Sequence, residues 1–136
     1  MRKMLVVDDD PVWRALYQTT FGGRFEVVEV AGGLGALASL DRVRPDIIVL
    51  DADMPQLDGM ELLRRMGDRG WQVPVILCSG TFTADNLPII PGVFPVQKSH
   101  DLRHVWSALE AALPPQGATD SSPRSSCPVE ETVWRG

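Results

Sequence analysis

Short apolar runs alternate with stretches whose apolar residues recur every three or four positions, and this alternation fills residues 1–113. Met4–Val7 is an apolar run closed by acid, which predicts a buried strand. Asp10-Pro11 then supplies an N-cap and a proline at the first helical position. Val12, Ala15, Leu16 and Thr19 continue as one helical face up to Gly22-Gly23. Phe25–Val30 reads as a second strand, and Leu34, Leu37, Leu40 and Val43 as a second helix that Arg44-Pro45 ends. Ile47–Leu50 is unbroken apolar sequence, the pattern of a strand covered on both faces.

Leu57, Met60, Leu63 and Met66 predict a third helix that closes around Gly67–Gly70. Val75–Cys78 and Val93–Gln97 are the fourth and fifth strands, with Pro95 placing the last at an edge or a strand end. Leu102, Val105, Trp106, Leu109 and Leu113 space as a final amphipathic helix. Between the fourth and fifth strands, Pro88 and Pro91 leave only a shortened or irregular fourth helix. Alternating strands and helices with short connections give an α/β fold, a doubly wound (βα)5 unit on a parallel five-stranded sheet.

Composition bounds what this unit does. The chain has 136 residues, 44% hydrophobic and 23% charged, which suits one globular domain. Its 13 Lys+Arg against 18 Asp+Glu leave a formal charge of −5, which argues against a nucleic-acid-binding face. No apolar run approaches the roughly 20 residues of a membrane span, and Asp8 interrupts any export-signal core. A cytoplasmic protein is expected, with no membrane partner. Two cysteines, Cys78 and Cys127, are too few for a disulfide framework. Residues 114–136 hold four of the eleven prolines and four serines, so this Pro/Ser-rich segment is expected to be a flexible tail that ends in a frayed Val133-Trp134. A segment of that size and composition builds no output domain.

The candidate chemistry lies at strand ends. Asp8, Asp9 and Asp10 follow the first strand, Asp51 ends the third, Ser79 ends the fourth and Lys98 follows the fifth. In an open parallel sheet, ligands bind outside these carboxyl ends at a topological switch point. Asp8, Asp9 and Asp51 brought together repel unless a cation joins them, and an all-oxygen donor set suits Mg²⁺. A metal-neutralised Asp51 is a nucleophile for phosphorus, forming an acyl phosphate. The charge spread over a transferring phosphoryl calls for a hydroxyl and a cation, for which Ser79 and Lys98 are the candidates. Gly80 leaves room for the phosphoryl to approach.

The blocks VVDDD (6–10), IIVLDADMPQLDG (47–59), VILCSG (75–80) and VQKS (96–99) resemble the receiver domain of two-component response regulators, as in single-domain chemotaxis regulators. The resemblance runs from Met4 to Leu113 and implies a flavodoxin-like fold. It implies Asp51 as phosphoacceptor, Asp9 and Asp51 as side-chain ligands of Mg²⁺, Asp53 as a ligand through its backbone carbonyl, and Asp8 as one through water. Ser79 takes the hydroxyl position and Lys98 that of the phosphate-pairing lysine. The implied partners are a histidine kinase or histidine phosphotransfer protein and an unidentified downstream protein, for a signalling domain rather than an enzyme. Three departures stand out. Ser99 replaces the proline usual after the lysine, Pro95 occupies a position that is usually aromatic and acts as a rotamer switch, and the stretch from Ser79 to Lys98 is short. Output is therefore expected through a remodelled loop at Thr81–Gly92 or through the tail.

Other readings compete at particular residues. Gly33-Leu34-Gly35-Ala36-Leu37-Ala38 fits a dinucleotide fingerprint but follows the second strand, so a helix start built from small residues is the better reading. Asp51-x-Asp53 fits the nucleophile motif of haloacid-dehalogenase-type phosphohydrolases, which place it near the N-terminus with acids downstream. A binding module that works without phosphorylation is the further alternative. Asp10 reads as an N-cap, Asp58 as a turn former and Cys78 as an inert core thiol. His100 and His104 read as surface or capping residues, and Trp13, Trp71 and Trp106 as packing residues.

Overall fold

The computed structural model describes residues 1–55, 57–83 and 85–113. The expected tail, including Cys127, lies outside the described residues. Five strands form one parallel sheet: β1 (Lys3–Val7), β2 (Glu26–Val30), β3 (Ile47–Asp51), β4 (Val75–Ser79) and β5 (Val93–Gln97). Their order is β2-β1-β3-β4-β5. The helices are α1 (Pro11–Phe21), α2 (Gly33–Val43), α3 (Gly59–Asp68) and α4 (Arg103–Ala112). Chain direction across the sheet reverses between β1 and β3, so their carboxyl ends flank the switch point.

Strand alternation divides the core into two layers. Leu5, Val7, Ile48, Leu50, Val75, Leu77 and Val93 face α2 and α3. Met4, Val6, Ile47, Val49, Ile76, Cys78 and Val96 face Tyr17 and Phe21 of α1 and Val105, Ala108 and Leu109 of α4. Phe21 joins these two helices, with its ring 4.9 Å from that of Trp106. Trp71 and Trp106 are packing residues, as the sequence suggested. Cys78 is buried, and that burial pushes its thiol up to about 12, so it stays protonated as an inert core group. No helix among the described residues is long and apolar enough to cross a membrane.

The sequence allowed a shortened or irregular helix between β4 and β5, but the described residues of 80–92 form only turns, a bend and irregular backbone. Pro88 and Pro91 remove backbone donors, and Gly92 turns the chain at φ 77°. Phe82 and Ile90 from this loop pack on the sheet where a helix would have lain. Pro95 faces Leu77 in the register and sits on an edge strand, as expected. The Lys98 amide donates to the Ser79 carbonyl at 2.9 Å, so strand alternation turns the Pro95 nitrogen away from β4, where it breaks no ladder bond.

Local chemistry sets the helix starts. Asp10 caps α1 by accepting from the Val12 amide at 2.9 Å, as read from the sequence. Asp58 caps α3 through the Glu61 amide at 2.9 Å, a more specific role than the turn former expected. Leu57 precedes α3 instead of belonging to its face and lies under α2: a Cβ on Gly33 would come within 2.7 Å of the Leu57 carbonyl oxygen. A Cβ on Gly35 would stand 2.8 Å from a Val30 methyl. The two glycines thus serve close packing at a helix start and not a dinucleotide.

Gly59 lets the start of α3 sit directly against the end of β3. A Cβ there would stand 2.7 Å from the Asp51 carbonyl oxygen and 2.8 Å from the Ala52 Cα, both backbone atoms with little freedom to yield. Gly59→Ala should therefore push α3 away from the end of β3 and cost about 1–3 kcal/mol. Urea unfolding would show this as a lower midpoint at unchanged slope; an unchanged midpoint would mean that the contact does not restrain β3.

Candidate functional site

Asp8 and Asp51 lie at the ends of the neighbouring strands β1 and β3, and both are almost fully buried, at 2% and 5% exposure. Backbone amides fix each carboxylate. The Asp10 amide donates to Asp8 Oδ1 at 2.9 Å, and the Asp53 amide donates to Asp51 Oδ1 at 3.0 Å. Arg14 of α1 donates to the Asp8 carbonyl oxygen at 2.8 Å and pairs with Glu29 at 3.4 Å, which ties the strand end to β2. Lys98 reaches over from the end of β5. Its Nζ lies 2.8 Å from Asp8 Oδ2 and 3.4 Å from Asp51 Oδ2.

Ser79, at the end of β4, is completely buried. Its hydroxyl donates to Asp53 Oδ2 at 2.6 Å. Its Oγ also accepts from the Thr81 amide at 3.1 Å and lies 2.9 Å from the Thr81 hydroxyl. The network continues into the β4–β5 loop, where the Asn86 side-chain amide donates to the Thr81 carbonyl at 3.1 Å.

Asp8, Asp9 and Asp51 each offer a carboxylate oxygen, and these atoms lie within 4.8 Å of one another. Asp9 is the exposed member. Three carboxylates against Lys98 leave two negative charges uncompensated within the group. An all-oxygen donor set with that deficit fits a hard divalent cation such as Mg²⁺. Asp53, expected to contribute its carbonyl, has its amide on Asp51 and its carboxylate on Ser79.

The sequence-predicted residues thus converge. Asp8, Asp9, Asp51, Asp53, Ser79 and Lys98 meet at the switch point, while Asp10 and Asp58 serve as helix caps. Three contributors were not read from the sequence as part of the site. Thr81 holds Ser79, Gly59 lets α3 approach Asp51, and Trp13, taken for a packing residue, lies with its ring centroid 4.6 Å from Lys98 Nζ. The spacing Ser79-x-Thr81 at a strand end was the one local signal available for Thr81. His100 is exposed but stacks on Trp13 at 4.7 Å, and His104 is an exposed residue in the first turn of α4.

Residues 4–88 match the response regulator receiver domain. The chain belongs to that family. The receiver match ends inside the β4–β5 loop, so Lys98 lies beyond it and is brought to the site by the geometry of β5. The chemotaxis protein CheY of Listeria monocytogenes is 40% identical over 81 residues, 58% of this chain and 68% of that protein. A protein-glutamate methylesterase/protein-glutamine glutaminase of Trichodesmium erythraeum is also 40% identical, over 80 residues. The match covers 57% of this chain and only 23% of that relative. Among solved structures, the receiver domain of the Francisella response regulator 1452 superposes with a TM-score of 0.67 at 28% identity, covering 78% of this chain and 93% of that one. The response regulator TrrA of Thermotoga maritima, solved with Mg²⁺-BeF, shares the fold at TM-score 0.72 and 22% identity, over 83% of this chain and 100% of that one.

Burial is the largest influence on Asp51 and pushes its carboxyl up from 3.8 to about 6; the Asp53 amide opposes this, Asp8 adds to it and Lys98 opposes it. Burial also works against the charge on Lys98, but Asp8 and then Asp51 outweigh it and hold the ammonium above the ordinary lysine value. A carboxyl whose pKa is raised in the native state binds its proton more tightly folded than unfolded. In metal-free protein, the Asp51 contribution to stability should therefore rise as pH falls from above 6 towards 4. Asp51→Asn should unfold at higher urea than the parent at pH 7.5 in chelator, and the gap should shrink towards pH 4. A gap independent of pH would show that the Asp51 charge carries no cost in the fold.

Proposed function

We propose that this receiver takes a phosphoryl group onto Asp51 from the phosphohistidine of a histidine kinase or histidine phosphotransfer protein. It would then signal through protein–protein contact. The observation that carries the reading is Asp51 itself, a buried carboxylate held between the Asp53 amide and Lys98 and within reach of Asp8 and Asp9. In the proposed step an Asp51 oxygen attacks phosphorus, a P–O bond forms, and the P–N bond of the donor breaks. The imidazole leaves as its nitrogen takes a proton from solvent.

Asp9 and Asp51 would hold Mg²⁺ by side chain, with Asp53 contributing through its carbonyl and Asp8 through water. When bound, the ion supplies charge neutralisation of the carboxylates and of the incoming phosphoryl oxygens. Lys98 would face another phosphoryl oxygen from its place beside Asp51. Ser79 has a single hydroxyl proton, and it now points to Asp53. Donating it to a phosphoryl oxygen requires leaving Asp53, which alters the bonds that Ser79 makes to Thr81. That exchange would carry the phosphorylated state into the β4–β5 loop without an aromatic rotamer switch at Pro95. The downstream partner would read that loop.

The test is intact mass over time with Mg²⁺ and acetyl phosphate. One phosphoryl adduct of about 80 Da is expected, absent in Asp51→Asn and slowed by an order of magnitude or more in Lys98→Met. No adduct on the parent would favour a module that binds without phosphorylation, and many equivalents of donor turned over rapidly would favour a phosphohydrolase.

A further inference from the structure

Lys98 has to reach two carboxylates from the end of an edge strand on a flexible four-carbon stem, yet its side chain is only 13% exposed. Its ammonium carries three N–H donors. Asp8 takes one direction at 2.8 Å, Asp51 a second at 3.4 Å, and the face of Trp13 a third at 4.6 Å from the ring centroid. Trp13 belongs to the first turn of α1, whose start Asp10 and Pro11 fix. Its ring is stacked at 4.7 Å and 21° on His100, two residues past Lys98. The turn carrying both residues is itself tied, because the Ser99 hydroxyl donates to Asp101 at 2.6 Å and the same carboxylate caps the Arg103 amide at 3.0 Å. The indole therefore meets the two sides of one short turn.

We propose that Trp13 is a positioning residue for Lys98. Its electron-rich face holds the ammonium against Asp8 and Asp51, and His100 holds the indole in that orientation. The role rests on the reading of Asp51 as phosphoacceptor. A lysine confined on three sides arrives at the phosphoryl already oriented, whereas one without the indole spends part of its time in solvent or on Asp8 alone. Shape alone does not supply this. A leucine keeps the site apolar but is smaller and has no quadrupole, and a phenylalanine keeps a weaker quadrupole; the Lys98→Met background separates lost volume from the lost ring face.

The experiment measures the rate of Asp51 adduct formation from acetyl phosphate at saturating Mg²⁺ in five proteins: the parent, Trp13→Leu, Trp13→Phe, Lys98→Met and the Trp13→Leu/Lys98→Met double variant. Trp13→Leu is expected to slow the reaction roughly five- to tenfold, with Trp13→Phe recovering most of the rate. In the Lys98→Met background, Trp13→Leu is expected to add no further loss. Equal slowing by Leu and Phe, or a loss that persists without Lys98, would overturn the proposal. Independently of phosphorylation, the Lys98 ε-methylene protons should show an upfield ring-current shift by NMR that Trp13→Leu abolishes. Its absence in the parent would overturn the proposal even if Asp51 is phosphorylated normally. A parent that shows the shift but takes no phosphoryl would overturn the phosphoacceptor reading, and the positioning role with it.

Discussion

Two buried carboxylates, Asp8 and Asp51, share one lysine at the point where the sheet changes direction. Taking carboxylates out of water is costly, and a single ammonium does not balance the pair once Asp9 joins the group. The surrounding structure is arranged around that excess of negative charge. Backbone amides of Asp10 and Asp53 each donate to one of the carboxylates. The Lys98 amide is anchored to the Ser79 carbonyl, so that β5 delivers the ammonium to the site. Gly59 lets α3 close over the end of β3 without displacing the Asp51 backbone. The pocket is strained electrostatically in a direction that a divalent cation relieves; the Asp51 carboxyl is raised chiefly by its burial, and the neighbouring Asp8 charge adds to that.

The segment joining β4 to β5 departs most from the five-helix pattern, and it also touches the site most directly. Ser79 ends the strand, Thr81 holds Ser79, and Asn86 holds Thr81. A helix would have satisfied the backbone groups of this segment internally. Turns instead leave side-chain bonds to define the path, so a change at the Ser79 hydroxyl has a short route outward. The sheet face is still covered, by Phe82 and Ile90, while Ile89 stands 93% exposed. The loop thus combines a packed anchor with an exposed surface, which suits a segment whose shape depends on the state of the site.

Much of this was legible because strand ends can be read from sequence. Apolar runs that stop at Asp8, Asp51 and Ser79 place those residues at one end of a parallel sheet, and the topology brings them together. Lys98 was legible for the same reason, although the family match stops short of it. Contacts between distant segments were not legible. Nothing local to Trp13 shows that its ring meets Lys98, and nothing around Gly33 points to Leu57. Helical periodicity included Leu57 in the third helix, but the Asp58 cap starts α3 at Gly59. Pro88 and Pro91 warned that a fourth helix would be irregular; the described turns show that the interruption removes it.

The effect of Mg²⁺ on folding tests the charge imbalance at the switch point most directly. Urea unfolding at neutral pH should be followed with chelator and with increasing Mg²⁺, in the parent and in Asp51→Asn. A cation held by the native carboxylates stabilises in proportion to the logarithm of its concentration above the dissociation constant. The expected result is a midpoint that climbs with Mg²⁺ in the parent and much less in Asp51→Asn. A midpoint indifferent to Mg²⁺ in the parent, or one that climbs equally in both proteins, would contradict it.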